Sequence, residues 1–194
     1  NAAQLDVWLV LFAKLNPVLI GGISADILRI IPLVLAAMDT NHTARDRAHA
    51  LSAIAQHLPA NQQGPVWSRA LDATDKINVD YKRAYALSVI AQHLPANQPQ
   101  LWSHALHAAD KINDDNARAS ALSVIAQHLP SDQQVPVWSH ALDAADKINA
   151  DAARASALSY IAQHLPADQQ VLVWSNALDT ADKINDDDVR ARTL

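Results

Sequence analysis

The stretch SVIAQHLPSDQQVPVWSHALDAADKINAD, from Ser123 to Asp151, decides the fold, because close variants of it occur four times in the chain. Its AQHLP motif recurs at intervals of 36, 35 and 36 residues, beginning at Ala55, Ala91, Ala126 and Ala162. A period of between about 20 and 50 residues is typical of stacked repeat arrays. The chain is therefore expected to be built from one structural unit used several times.

Each repeat predicts two helices. In helix A, residues 118–129, the apolar side chains recur at i, i+3, i+4 and i+7, as on one buried face of an α-helix. Asp115 is placed to cap its N-terminus, and Pro130 ends it because proline lacks the backbone N–H that a helix needs. Helix B is predicted to begin near Asp132, with Pro136 close to its first turn.

A single helical hairpin cannot bury its own apolar face, whereas stacked hairpins can. Half of the residues are hydrophobic but only 5% are aromatic, a composition that suits close-packed helices better than sheets. The predicted fold class is therefore all-α, a right-handed α-solenoid of helix-turn-helix repeats of about 36 residues.

The repeats also set the predicted domain boundaries. Residues 1–42 are read as a divergent N-terminal repeat, followed by repeat 1 (43–78), repeat 2 (79–113), repeat 3 (114–149), repeat 4 (150–185) and the start of a further, truncated repeat (186–194). The apolar stretch Pro17–Met38 carries Asp26 and Arg29 near its middle. Each would cost roughly 2.5–3.5 kcal/mol at the centre of a membrane helix, so we expect no membrane span.

Charge and composition narrow the range of possible functions. The net charge is −5 and no basic stripe is visible, so we expect no nucleic-acid partner. The chain has no cysteine, which excludes disulfides and thiolate zinc sites. We expect a cytoplasmic protein without cofactors.

The nine histidines do not predict a metal site. Equivalent residues of stacked helices lie about 8–10 Å apart, whereas zinc needs nitrogens at about 2 Å. His104 and His107 have i, i+3 spacing but no evident third ligand. One histidine per repeat is instead expected near the end of each helix A, where positive charge is favourable: His57, His93, His128 and His164.

We also expect no enzymatic activity and name no catalytic residue. Serines such as Ser123 and Ser139 lie inside regular helices and recur in each repeat, whereas a catalytic nucleophile needs a particular base and an orienting acid. The tryptophans are expected to pack between helices. Aspartates and arginines eight residues apart across the turn predict structural ion pairs: Asp75 with Arg83, Asp110 with Arg118, Asp146 with Arg154, and Asp182 with Arg190.

Binding is expected where the repeats differ, because stacking explains the positions they share. One stripe of helix A, predicted to lie opposite the core, keeps serine and glutamine but varies among His, Tyr, Ser, Ala and Val at its other two positions. Such a stripe suits a protein or peptide partner, although packing on the neighbouring repeat is an alternative. The partner-binding candidates are His49, Tyr85, Val89, Gln92, Ser120, Val124, Gln127, Ser156, Tyr160 and Gln163.

The pattern RAxALSxIAQHLP…WSxALxAADKINxDxxRA, over about residues 43–194, resembles bacterial bihelical repeats from the sensor regions of NACHT or STAND-type ATPases, and HEAT-like arrays more distantly. The resemblance implies a recognition or scaffolding array. No GxxxxGK phosphate-binding loop occurs in the sequence, so it implies no ATPase chemistry in this chain.

Two functions remain open at this point. The first is a non-enzymatic solenoid for protein or peptide recognition, a sensor or scaffold segment of a larger bacterial protein. The second is a structural protein whose repeats assemble end to end into a filament or shell through the ends of the solenoid.

Overall fold

The computed structural model describes residues 43–193, which contain nine α-helices and no β-strand. The predicted divergent repeat, including Pro17–Met38, lies outside these described residues. The chain divides into two units, Asn1–Asn78 and Val79–Leu194. In the first unit, α1 (Ala44–His57) and α2 (Ala60–Asp75) pack against each other as a hairpin.

The second unit contains three further helix pairs and the first helix of another. Within each pair an A helix packs against the B helix that follows it, and each A helix also packs against the next A helix. The first two B helices make their further contacts chiefly with the following A helix. The A helices are α3 (Asp80–Ala91), α5 (Asp115–His128), α7 (Asp151–His164) and α9 (Asp187–Thr193); the B helices are α4 (Pro99–Asp110), α6 (Ser131–Asp146) and α8 (Ala167–Ala181).

These observations confirm the all-α fold class and the stacking of consecutive helices in the second unit. Each helix pair lies inside one predicted repeat. The handedness and the repeat length of about 36 residues stay predictions. No described helix is long and apolar enough to cross a membrane.

The core is built from small and large apolar side chains in alternation. Alanines such as Ala105 and Ala141 are fully buried, which lets neighbouring helices approach closely. Trp67, Trp102 and Trp138 are at most 2% exposed. The prediction that these tryptophans pack between helices is therefore confirmed, and burial of a large aromatic side chain stabilises the fold by several kcal/mol, about 3–5 for truncation to alanine.

The residue that caps α5 differs from the one predicted. Asp115 is the first helical residue of α5, and the capping side chain is that of Asp114, whose carboxylate accepts a 2.7 Å hydrogen bond from the backbone N–H of Ala117. Helix α6 begins at Ser131, next to Asp132 as predicted, and directly after Pro130, whose side chain provides no capping hydrogen bond. Pro136 therefore lies inside the helix, beyond its first turn. Because proline has no N–H, it cannot donate a hydrogen bond to the backbone carbonyl four residues earlier in the helix. Pro136 is exposed, so that carbonyl can bind water instead.

A glutamine closes the turn between helices A and B in three repeats. The Gln134 side chain donates a 2.8 Å hydrogen bond from Nε2 to the carbonyl of Leu129, which α5 leaves unpaired at its end. Gln63 and Gln170 make the same 2.8 Å bond to Leu58 and Leu165.

Repeat 2, which is one residue shorter, closes the same turn in another way. Both of its helices have only 12 residues. Trp102 donates from its indole Nε1 to the carbonyl of Pro95 at 3.2 Å. The repeat that is one residue shorter thus has shorter helices, and its two helices contact each other less extensively than those of the other pairs.

Candidate partner-binding surface

The candidate surface lies on the A helices of the second unit. Six of the predicted binding residues are exposed there, and we call this set the A face: Tyr85, Gln92, Ser120, Ser156, Tyr160 and Gln163. Tyr85 is 60% exposed and Tyr160 is 39% exposed, which is unusual for large side chains in close-packed helices. The A face spans three successive helices that contact one another.

The other predicted residues lie deeper. Val89, Val124 and Gln127 are partly buried, and His49 is partly buried in α1 of the first unit. Ser123, from the same stripe, is 1% exposed and donates to the carbonyl of Ala119 at 2.7 Å. The prediction that the whole stripe lies opposite the core is therefore wrong: its serine side packs inward.

Tyr160 lies at the centre of a cluster that joins two repeats. Its hydroxyl accepts a 2.8 Å hydrogen bond from Nε2 of Gln127 on α5. Its ring lies 4.8 Å from the ring of His164, centroid to centroid, and the His164 ring stacks on Trp138 at 6.4 Å. Tyr160 thus combines the two roles that its sequence position left open, packing on a neighbouring repeat and exposure to solvent.

The repeated histidines lie at, or just after, the C-terminal ends of their helices. His57, His128 and His164 are the last residues of α1, α5 and α7, and His93 follows the shortened α3. Partial burial, followed by repulsion from His93, lowers the pKa of the His128 imidazole below its usual value. Within residues 43–193 no three His, Asp or Glu side chains group closely enough to hold a metal ion.

In α3, α5 and α7, all aspartate, lysine and arginine side chains lie within the first four residues of the helix. The rest of each helix carries only alcohols, amides, histidines and apolar side chains. The A face is therefore uncharged at neutral pH. The B helices differ, since Asp143, Asp146 and Asp179 are exposed on α6 and at α8.

The structural ion pairs use other carboxylates than predicted. Arg118 pairs with Asp115 on its own helix and donates to the carbonyl of Ile112 at 2.9 Å. The same arrangement joins Arg154 to Asp151 and Arg190 to Asp187. The predicted partners Asp110, Asp146 and Asp182 are exposed, and their pairing with Arg118, Arg154 and Arg190 is wrong.

An i, i+3 partner on the same helix is the better one because both side chains project from one rigid element. Arg83 lies 4.0 Å from Asp80 and also donates to the carbonyl of Lys111 at 3.0 Å. Because Asp75 and Arg83 belong to different units, that pair stays a prediction.

Two features were not foreseen from the sequence. The carboxylate of Asp80 accepts hydrogen bonds from the backbone N–H groups of Asn113 and Asp114, at 3.1 and 2.9 Å, and so ties repeat 2 to the start of α5. Tyr81, one turn before Tyr85, is 67% exposed with the ammonium of Lys82 5.9 Å from its ring centroid. The i, i+4 spacing of Tyr81 and Tyr85 places them on the same face of α3, so the sequence could have indicated that Tyr81 is exposed beside Tyr85.

No protein-family model matches the chain, and no curated protein matches it significantly.

Proposed function

We propose that the chain is a non-enzymatic recognition array that binds a protein or peptide along the A face, as a sensor or scaffold segment of a larger bacterial protein. The observation that carries this proposal is the exposure of Tyr85 and Tyr160 at positions that vary between otherwise repetitive helices. Tyrosine supplies a large contact area at low entropic cost and is enriched in binding hot spots.

The surroundings of these tyrosines support the same function. The supporting layer is rigid, because each A helix packs on the next and the Gln127–Tyr160 hydrogen bond joins two of them. A preorganised surface loses less entropy when its partner binds. Polar groups such as Ser120 and Gln163 flank the tyrosines and can pair with a partner's hydrogen-bonding groups.

A second candidate function is end-to-end self-assembly into a filament or shell. One observation favours it: Leu178 of α8 is 50% exposed, whereas Leu71, at the equivalent position of α2, is fully buried. Val171 and Leu172 on the same helix are 76% and 69% exposed. A surface of this kind could be covered by another copy of the repeat in a contact that need not close.

Light scattering coupled to gel filtration over a hundredfold range of protein concentration separates the two candidates. A recognition array is expected to keep a constant mass of 21.0 kDa. A mass that climbs with concentration, and that Leu178→Ser and Leu172→Ser return to the monomer value, would favour self-assembly over recognition.

The recognition surface is tested by capture of binding proteins on immobilised chain. The A-face variant Ser120→Glu with Ser156→Glu places two charges among uncharged neighbours. Ser139→Glu with Ser175→Glu places the same two charges on exposed, equivalent positions of α6 and α8 and serves as the matched control. We expect the A-face variant alone to lose the proteins that wild type captures; equal loss by both variants would count against the A face.

A further inference from the structure

The spacing of the A helices restricts the shape of a partner that crosses them. Packed helices lie about 8–10 Å apart, so equivalent side chains recur at that interval. The amides of Gln92, Gln127 and Gln163 occupy one such equivalent position on α3, α5 and α7. Tyr85, Ser120 and Ser156 occupy another.

A polyproline II segment matches this interval. It has three residues per turn and rises about 3.1 Å per residue, so one side of it recurs every 9.3 Å or so. An extended β-strand covers a similar length in three residues, but its side chains alternate, so that every third residue faces away. Of these two extended conformations, only the threefold one presents the same side to each A helix in turn.

The chemistry of the A face agrees with this shape. A polyproline II backbone makes no internal hydrogen bonds, so its carbonyls remain available to amide and hydroxyl donors such as those of Gln92, Gln163 and Ser120. The exposed tyrosines of the A face, Tyr85 and Tyr160, offer aromatic rings on which proline rings can pack.

Charge complementarity points to the same occupant. The charged side chains of α3, α5 and α7 are confined to their first four residues, so the A face offers no counter-charge to a charged peptide. A charge that loses its hydration without gaining a partner disfavours binding.

We propose that the partner segment is an uncharged, proline-rich peptide in the polyproline II conformation that runs across α3, α5 and α7, one turn per A helix. This inference rests on the proposed recognition function of the same surface. It adds the conformation, the direction and the charge of the bound segment.

A phage-displayed library of random 15-residue peptides, selected on the intact immobilised chain, tests the inference. We expect the selected sequences to contain prolines at three-residue intervals and few charged residues. As synthetic peptides they should show polyproline II circular dichroism, and they should bind Ser120→Glu with Ser156→Glu at least about tenfold more weakly than wild type. Binding to the matched control, Ser139→Glu with Ser175→Glu, should change less than about twofold.

The other outcomes separate this inference from the function on which it rests. Selected peptides that need the A face but are amphipathic helices or are charged would overturn the polyproline II inference and leave the recognition function standing. Selected peptides that bind equally to both variants would overturn the A face as the site. A library that yields no binder would count against both proposals.

Discussion

The side chain of Gln127 donates a hydrogen bond from Nε2 to the hydroxyl of Tyr160, 2.8 Å away on the next A helix. Two residues expected to meet a partner therefore also hold two repeats together. The bond fixes the ring of a 39% exposed tyrosine while leaving much of it open to solvent. Recognition and stability are consequently coupled at this position.

Replacement of Tyr160 by phenylalanine measures this bond. The ring contacts with His164 remain and only the hydroxyl is lost, so we expect Tyr160→Phe to lower the free energy of unfolding by about 0.5–1 kcal/mol. The measurement is urea unfolding followed by circular dichroism. Tyr81→Phe, at a 67% exposed tyrosine of α3, is the control and should change stability by much less. Equal effects would show that the Gln127 bond contributes nothing.

The ion pairs can be tested by one substitution on each candidate partner of Arg118. Asp115→Asn should destabilise the chain by about 0.5–1 kcal/mol, because it removes a partly buried charge partner on the same helix. Asp110→Asn, at an exposed position, should be close to neutral. Urea midpoints of the two variants give the comparison, and a larger effect at Asp110 would restore the pairing across the turn.

The indole N–H groups of the buried tryptophans should differ in how much they contribute to the free energy of unfolding. Trp102 donates to Pro95, whereas the indole N–H of Trp138 is buried without a hydrogen-bond partner among the described residues. Replacement by phenylalanine removes the N–H at both sites, so we expect Trp102→Phe to cost more than Trp138→Phe by about 1 kcal/mol. Thermal and urea unfolding of the pair provide the measurement; the reverse order would contradict the contact at Pro95.

The stability of the chain should fall as the pH drops below about 6.5. Burial lowers the pKa of His128, and repulsion from His93 lowers it further. The unfolded chain, with an ordinary histidine pKa near 6.5, then binds a proton more readily than the folded chain, so acid favours unfolding. Burial also lowers the pKa of His49, with the same sign.

Urea midpoints at pH 7.5 and 5.5 measure this dependence, and His128→Gln should reduce the loss. In a nuclear magnetic resonance titration, His93→Gln should raise the pKa of His128, because it removes a neighbouring like charge. An unchanged pKa in that variant would show that the two rings do not interact in solution.

The sequence was sufficient for features that depend on one helix at a time. The i, i+3, i+4, i+7 spacing of Leu122, Ile125, Ala126 and Leu129 predicted a buried stripe, and all four are at most 3% exposed. Features that depend on two helices were harder to predict. Ser123 is buried although it lies on the stripe away from Leu122 and Ile125, and α5 packs against both α3 and α7; periodicity within one helix carries no information about such neighbours.

The ion pairs and the turn bonds show the same limit. The pairing of Asp110 with Arg118 was predicted from their repeated eight-residue spacing. The carboxylate of Asp115 is nearer, and the i, i+3 spacing along one helix would have favoured it. The bond from Gln134 to the carbonyl of Leu129 depends on the exact path of a short turn, which no spacing rule encodes.

We propose that the A face, and no other surface of the second unit, binds the partner segment. The most direct test is the dissociation constant of a library-selected peptide for wild type, for Ser120→Glu with Ser156→Glu, and for Ser139→Glu with Ser175→Glu, by fluorescence anisotropy. We predict a loss of at least about tenfold, or about 1.4 kcal/mol, for the A-face variant and little change for the B-helix control. An unchanged affinity in the A-face variant would show that the peptide binds elsewhere.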